Sequence, residues 1–203
     1  MKKTMFLGAL LLIAGAATGF AQESRQDVSI SGTGLFAPEV HGPNAVILDT
    51  TSTIGALVSY RYMVTPRSAL EANYSFAQFS EKYQASNLNH PRVHTRLQEV
   101  SAAYVYSRNY RNFSPFLEAG PGALLFSPLR DAGSSTFDTK RNTNIGGLFG
   151  GGVAYELSPS FDIRAEYRGF VVKAPDFGVG NGDLKTGRYE VISTPSIGIA
   201  YHF

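Results

Sequence analysis

The segment Ser196-Ile197-Gly198-Ile199-Ala200-Tyr201-His202-Phe203 decides how this chain is read. Ile197, Ile199, Tyr201 and Phe203 take every second position, and the residues between them are small or polar. Side chains alternate across a strand, so this spacing gives one apolar face and one small or polar face. The same period of two recurs in segment after segment, with tyrosines at segment ends and no helical stretch between. A soluble sheet would bury its apolar face in a core. The recurrence predicts instead an all-β chain: an eight-stranded antiparallel up-and-down transmembrane β-barrel with its apolar faces turned to lipid.

Seven further segments share the pattern. They lie near Val28–Phe36, Thr53–Tyr62, Ser68–Phe79, Arg96–Tyr106, Ser114–Phe126, Asn144–Tyr155 and Phe161–Val172, with the last strand at Tyr189–Phe203. Ile54, Ala56, Val58, Tyr60 and Tyr62 form one apolar face, and Val100, Ala102, Tyr104 and Tyr106 form another. Connections alternate in length. Those near 37–51, 80–95, 127–143 and 173–188 are long and polar, roughly 15 residues each, whereas 63–67, 107–113 and 157–160 are short. Long loops at one end and short turns at the other are the habit of outer-membrane barrels. An internal echo supports repeated hairpins: Tyr62 to Tyr74 aligns without gaps on Tyr155 to Tyr167, with Pro66 and Pro159 in the turns. Proline presets φ for a turn and donates nothing to a ladder, so it fits that junction.

The front of the chain argues for export. Lys2 and Lys3 precede an apolar run from Met5 to Ala17, and Gly19-Phe20-Ala21 offers small residues at the two positions a signal peptidase reads. The expected organisation is a cleaved signal peptide at 1–21 and an outer-membrane β-barrel domain at 22–203. Without the leader, 16 basic residues face 16 acidic ones, so the mature chain is formally neutral. That balance excludes the basic stripe of a nucleic-acid binder. Cysteine is absent, which removes disulfides, thiolate metal sites and cysteine nucleophiles.

Pro115-Phe116-Leu117-Glu118-Ala119-Gly120-Pro121-Gly122, the glycine-rich run Gly146 to Tyr155, and Ile163-Arg164-Ala165-Glu166-Tyr167-Arg168 together resemble the small OmpA-like, OmpX-like or "porin family" outer-membrane β-barrel proteins. The resemblance spans essentially the whole mature chain. It does not extend to a peptidoglycan-binding domain. It implies a Gram-negative outer membrane, with membrane lipids and lipopolysaccharide as surroundings. It further implies that the barrel-assembly machinery reads the final strand, with Tyr201 and Phe203 as the assembly signal. Aromatic rings also suit the membrane–water interface, where Tyr60, Tyr62, Tyr104, Tyr106 and Tyr155 are expected to complete a girdle.

With odd positions of the last two strands facing lipid, Asp162, Arg164, Glu166 and Arg168 form an inward column, joined by Arg61, Glu71, Glu99, Glu118 and Glu156. An eight-stranded barrel is only wide enough for side chains to fill it. These nine residues are therefore expected to form a charge network in a largely filled polar interior, since an unpaired buried charge is costly. The expected function is non-enzymatic: an integral barrel, structural or surface-interacting through its extracellular loops, whose ligand the sequence does not name. Two rivals are a narrow passive pore and a lipid A-modifying acyl enzyme. For the enzyme the only comparable group is His94-Thr95-Arg96, without a His-x-Ser pair. The glycines at 146–152 precede no helix and no GK[ST], so they are read as relief for a crowded lumen, not as a phosphate cradle. No cofactor and no metal site is expected; His90 and His94 flank Pro91 outside any helical spacing.

Overall fold

The computed structural model describes residues 25–37, 40–41, 47–50, 52–84, 92–129, 141–173 and 188–203. The expected leader and most of the four long connections lie outside the described residues. Among the described residues ten strands follow one another: β1 (Gln26–Leu35), β2 (Val40–His41), β3 (Ile47–Thr50), β4 (Thr53–Thr65), β5 (Ser68–Gln84), β6 (Arg92–Ser107), β7 (Phe113–Leu129), β8 (Asn142–Ser158), β9 (Phe161–Lys173) and β10 (Tyr189–His202). Eight of them are long, and each pairs antiparallel with its neighbours in chain order from β4 to β10. β1 closes the ring by pairing with both β4 and β10, setting Val28 opposite Tyr201 and Ile30 opposite Ile199. The segment that decided the fold is thus one side of the closing seam. A closed sheet leaves no unpaired edge, the condition for backbone to cross hydrocarbon.

Alternation decides which side chains meet lipid. Ile54, Leu70, Val100, Leu117, Ile145 and Ile197 are more than half exposed, while Leu57, Val105, Phe126 and Val172 are sealed inside. The eight long strands show this split, so the exposed apolar set is a belt, not scattered residues. At the end carrying the short turns, Tyr60, Tyr62, Tyr104, Tyr106, Tyr155 and Tyr201 are all exposed, forming the expected girdle. Their hydroxyls reach polar groups: Tyr60 donates to Gln26 Oε1 at 2.6 Å, and the Tyr104 hydroxyl lies 2.7 Å from Ser68 Oγ. Phe203 stacks on Tyr201 at 6.0 Å, and Tyr201 packs on Phe161 at 5.1 Å.

The sequence echo has a structural counterpart. The β4–β5 ladder shifts register between Met63 and Thr65, and the β8–β9 ladder shifts between Glu156 and Ser158. These are equivalent positions in the two aligned stretches. Val64 and Leu157, the residues skipped by the ladder, are both exposed. An extra residue bends and twists a strand just before it turns, so both proline turns are entered through the same device.

Three of the four long connections are shorter than their polarity suggests. β5 and β6 stay paired out to Lys82 opposite Arg92, and β7 continues to Leu129. β2 and β3 occupy part of 37–51, and β3 extends the β5 edge with Thr50 opposite Glu81. Loss of apolar alternation marks where a strand leaves hydrocarbon, whereas backbone pairing continues into water at no penalty. The ladder therefore outlasts the pattern.

Candidate functional site: the layered barrel interior

Inward positions sort by height. Toward the turn end lies a polar tier built from Asp27 on β1, Arg61 on β4, Glu71 on β5, Glu99 on β6, Glu118 on β7 and Arg164, Glu166 and Arg168 on β9. All eight are buried. Toward the loop end lies an apolar tier that includes Leu35, Phe79, Leu97, Phe126, Leu148, Phe170, Val172 and Ile192. Phe79 and Phe126 meet there edge to face, with centroids 6.5 Å apart. The interior expected to be a largely filled polar one is therefore polar only in part. Buried aromatic and aliphatic groups seal its outer portion.

Two arginine clusters organise the polar tier. Arg61 Nε donates to Glu71 Oε2 at 2.6 Å, and Arg164 Nη1 stands 3.7 Å from the same oxygen. Arg164 Nη2 also donates to Asp27 Oδ1 at 3.0 Å. Phe116 lies beneath both guanidiniums, 4.7 Å from Arg61 and 5.9 Å from Arg164, so its ring face meets cations. In the second cluster Arg168 Nη2 donates to Glu99 Oε1 at 2.6 Å, and its Nε stands 3.4 Å from Glu118 Oε1. Ser101 and Ser75 donate to the two Glu99 oxygens at 2.7 and 3.1 Å. Glu166 accepts from Ser196 Oγ at 2.9 Å. Arginine suits this duty because its five donors lie in one plane and can serve several acceptors at once.

Of the nine residues expected inward, seven are buried and Asp162 is half-buried on the lumen side, and not all join one network. Asp162 is half-buried near the rim and bonds His202 Nε2 at 2.8 Å, apart from the arginines. Glu156 is the exception. It keeps inward parity and pairs with Asp162, but it is exposed at the rim, next to the register shift near the end of the β8–β9 ladder, and no described ion pair includes it. It is a rim carboxylate, not a member of the interior network. Asp27 was missed, although it precedes Ser29, Ser31 and Thr33 on the same inward face. Glu190 was missed too; it is buried opposite Val172, within reach of the apolar tier. Strand parity alone would have found both.

The glycines make room for these large groups. A methyl carbon added at Gly150 would come within 2.8 Å of Glu118 Oε1, and one at Gly122 within 2.9 Å of the Phe170 ring. Small inward positions on β7 and β8 thus admit large side chains from β7 and β9, Glu118 and Phe170 respectively, as the crowded-lumen reading requires.

A closed antiparallel barrel with an apolar outer belt, a tyrosine girdle and a filled lumen defines an integral bacterial outer-membrane protein, a class whose short turns are periplasmic. The sequence matches the outer membrane protein beta-barrel domain family over residues 7–203, and the chain belongs to that family. Among solved structures it is similar to Neisserial surface protein A, with 18% identity and a TM-score of 0.58 over 89% of this chain and 98% of that one. It is also similar to OprG from Pseudomonas aeruginosa, with 10% identity and a TM-score of 0.58 over 90% and 97% of the two chains. Ail, the attachment invasion locus protein of Yersinia pestis, matches with 20% identity and a TM-score of 0.51 over 90% and 100%. These likenesses establish the shared barrel fold. No curated protein matches the sequence.

Proposed function

We propose that this chain is a non-enzymatic barrel of the outer membrane, structural or surface-interacting, and that it works through what it displays outside and not through what it conducts. The observation that carries this reading is the interior itself. Arg164 and Arg168 retain 2% and 1% exposure, and Phe126 retains 1%. Groups packed to that degree are engaged with one another and not with a water column. The acyl-enzyme rival draws little from the geometry. His94 and Thr95 point to opposite faces of β6, so they cannot act as a pair on one substrate. His202 lies at the opposite, periplasmic end and engages Asp162.

Expression of the chain in an outer-membrane-competent host tests the proposal. The lipid A mass spectrum is expected to match that of the empty host. Gain or loss of one acyl chain would establish the enzyme instead. The proposal includes recognition of Phe203 by the assembly machinery, so the same host expressing a Phe203 deletion should lose outer-membrane yield while refolding in detergent is kept. Equal loss in both would make Phe203 a packing residue only.

A further inference from the structure

The lipid-facing surface holds a hollow that the barrel does not need for closure. It has a volume of about 470 Å³ and lies over β6, β7 and β8 near their periplasmic ends, walled by Tyr106, Leu117 and Val153 and floored at Gly151. Ladder pairing sets these residues side by side, with Tyr106 opposite Leu117 and Leu117 opposite Gly151. The hollow also reaches Arg108. Arg108 continues the outward column of Tyr104 and Tyr106 two residues further, just past the end of β6, so it stands where the membrane meets the periplasm. Its guanidinium rests over the Tyr110 ring at 5.4 Å, and the residue is exposed. Its backbone N–H donates to the Pro115 carbonyl at 3.0 Å, which ties the start of the turn to the wall of the hollow.

Among the described residues, exposed charge at this rim is mostly basic. Arg25, Arg67, Arg108 and Arg111 are exposed at the periplasmic end. The carboxylates described near them are Glu156, which has inward parity, and Asp162, which is bonded to His202. Neither neutralises Arg108 on the lipid side. An apolar hollow opening onto an uncompensated guanidinium at the interface matches a molecule with an acyl chain and an anionic head. We infer that the hollow binds one anionic glycerophospholipid of the periplasmic leaflet, an acyl chain lying over Gly151 between Tyr106 and Val153 and its phosphate taken by Arg108. Guanidinium binds phosphate through charge-assisted, geometrically matched hydrogen bonds, which a zwitterionic head with its own ammonium satisfies less well.

Native mass spectrometry of the full chain, released from nanodiscs containing equal phosphatidylglycerol and phosphatidylethanolamine, tests this. The parent is expected to retain one phosphatidylglycerol in preference to phosphatidylethanolamine. Arg108→Gln should lower that preference roughly fivefold, the worth of one surface arginine beside an anionic leaflet. Val153→Phe fills the hollow from an outward, apolar position and should remove the retained lipid while heat-modifiable gel migration stays that of a folded barrel. Arg25→Gln removes an equal charge elsewhere on the rim and should change nothing. Retention of both lipids alike by the parent would overturn the assignment. So would a loss with Arg25→Gln equal to that with Arg108→Gln, which would show diffuse rim charge, or retained lipid in a folded Val153→Phe protein.

Discussion

Replacing Arg168 with Met is expected to destabilise the barrel by about 3–5 kcal/mol, the largest effect of any single change considered. Arg168 is the cation nearest both Glu99 and Glu118, at 2.6 and 3.4 Å. Methionine keeps much of the volume, so the loss reports charge and hydrogen bonding more than a cavity. Both carboxylates are almost fully buried and would be left without it. Adding Glu99→Gln should restore part of the loss, because one stranded charge is then gone; the remainder stays with Glu118. Urea unfolding in lipid vesicles, run as a double-mutant cycle, checks this. A neutral Arg168→Met would show that water reaches these carboxylates and that the tier is not sealed.

A second large effect is expected on the outer face. Ala102 is exposed near the middle of β6, opposite Ala72 on β5, with Val100 and Tyr104 on the same face. Arg there should cost about 2–4 kcal/mol, the depth-dependent penalty at the bilayer midplane. Val64, exposed at the register shift beside the periplasmic turn, gives the matched comparison. Val64→Arg should cost about 0–1 kcal/mol, because its guanidinium reaches the interface. Equal costs at the two positions, measured by vesicle refolding, would mean that the belt is not where the alternation puts it.

Much of this fold was legible because a membrane removes alternatives. Ile54 to Tyr62 and Ile197 to Phe203 could only place their apolar positions against lipid, so parity fixed the facing of nearly every strand residue. Parity says nothing of height, however. Phe126, Phe170 and Val172 were assignable inward from the sequence, but their convergence into an apolar tier depends on inter-strand register. The stagger setting Gly150 opposite both Glu118 and Arg168 comes from ladder pairing, which the sequence does not encode locally. Glu156 failed for a related reason. Its inward parity holds, but it is the last inward position before the turn and so stands at the open rim, a matter of height that parity does not report. Asp27 lay one residue before the assigned start of the first strand, where a boundary judged by apolar content cuts too early.

The filled, tiered lumen is the central claim, and ion conductance tests it most directly. The full chain is refolded into vesicles, its folded state verified by heat-modifiable gel migration, and the vesicles fused to a planar bilayer in salt solution. The aromatic and aliphatic tier at Phe79, Phe126 and Phe170 predicts a current that stays at the baseline of the bare membrane. Discrete, reproducible single-channel steps from protein in its folded form would contradict it and make the chain a narrow pore.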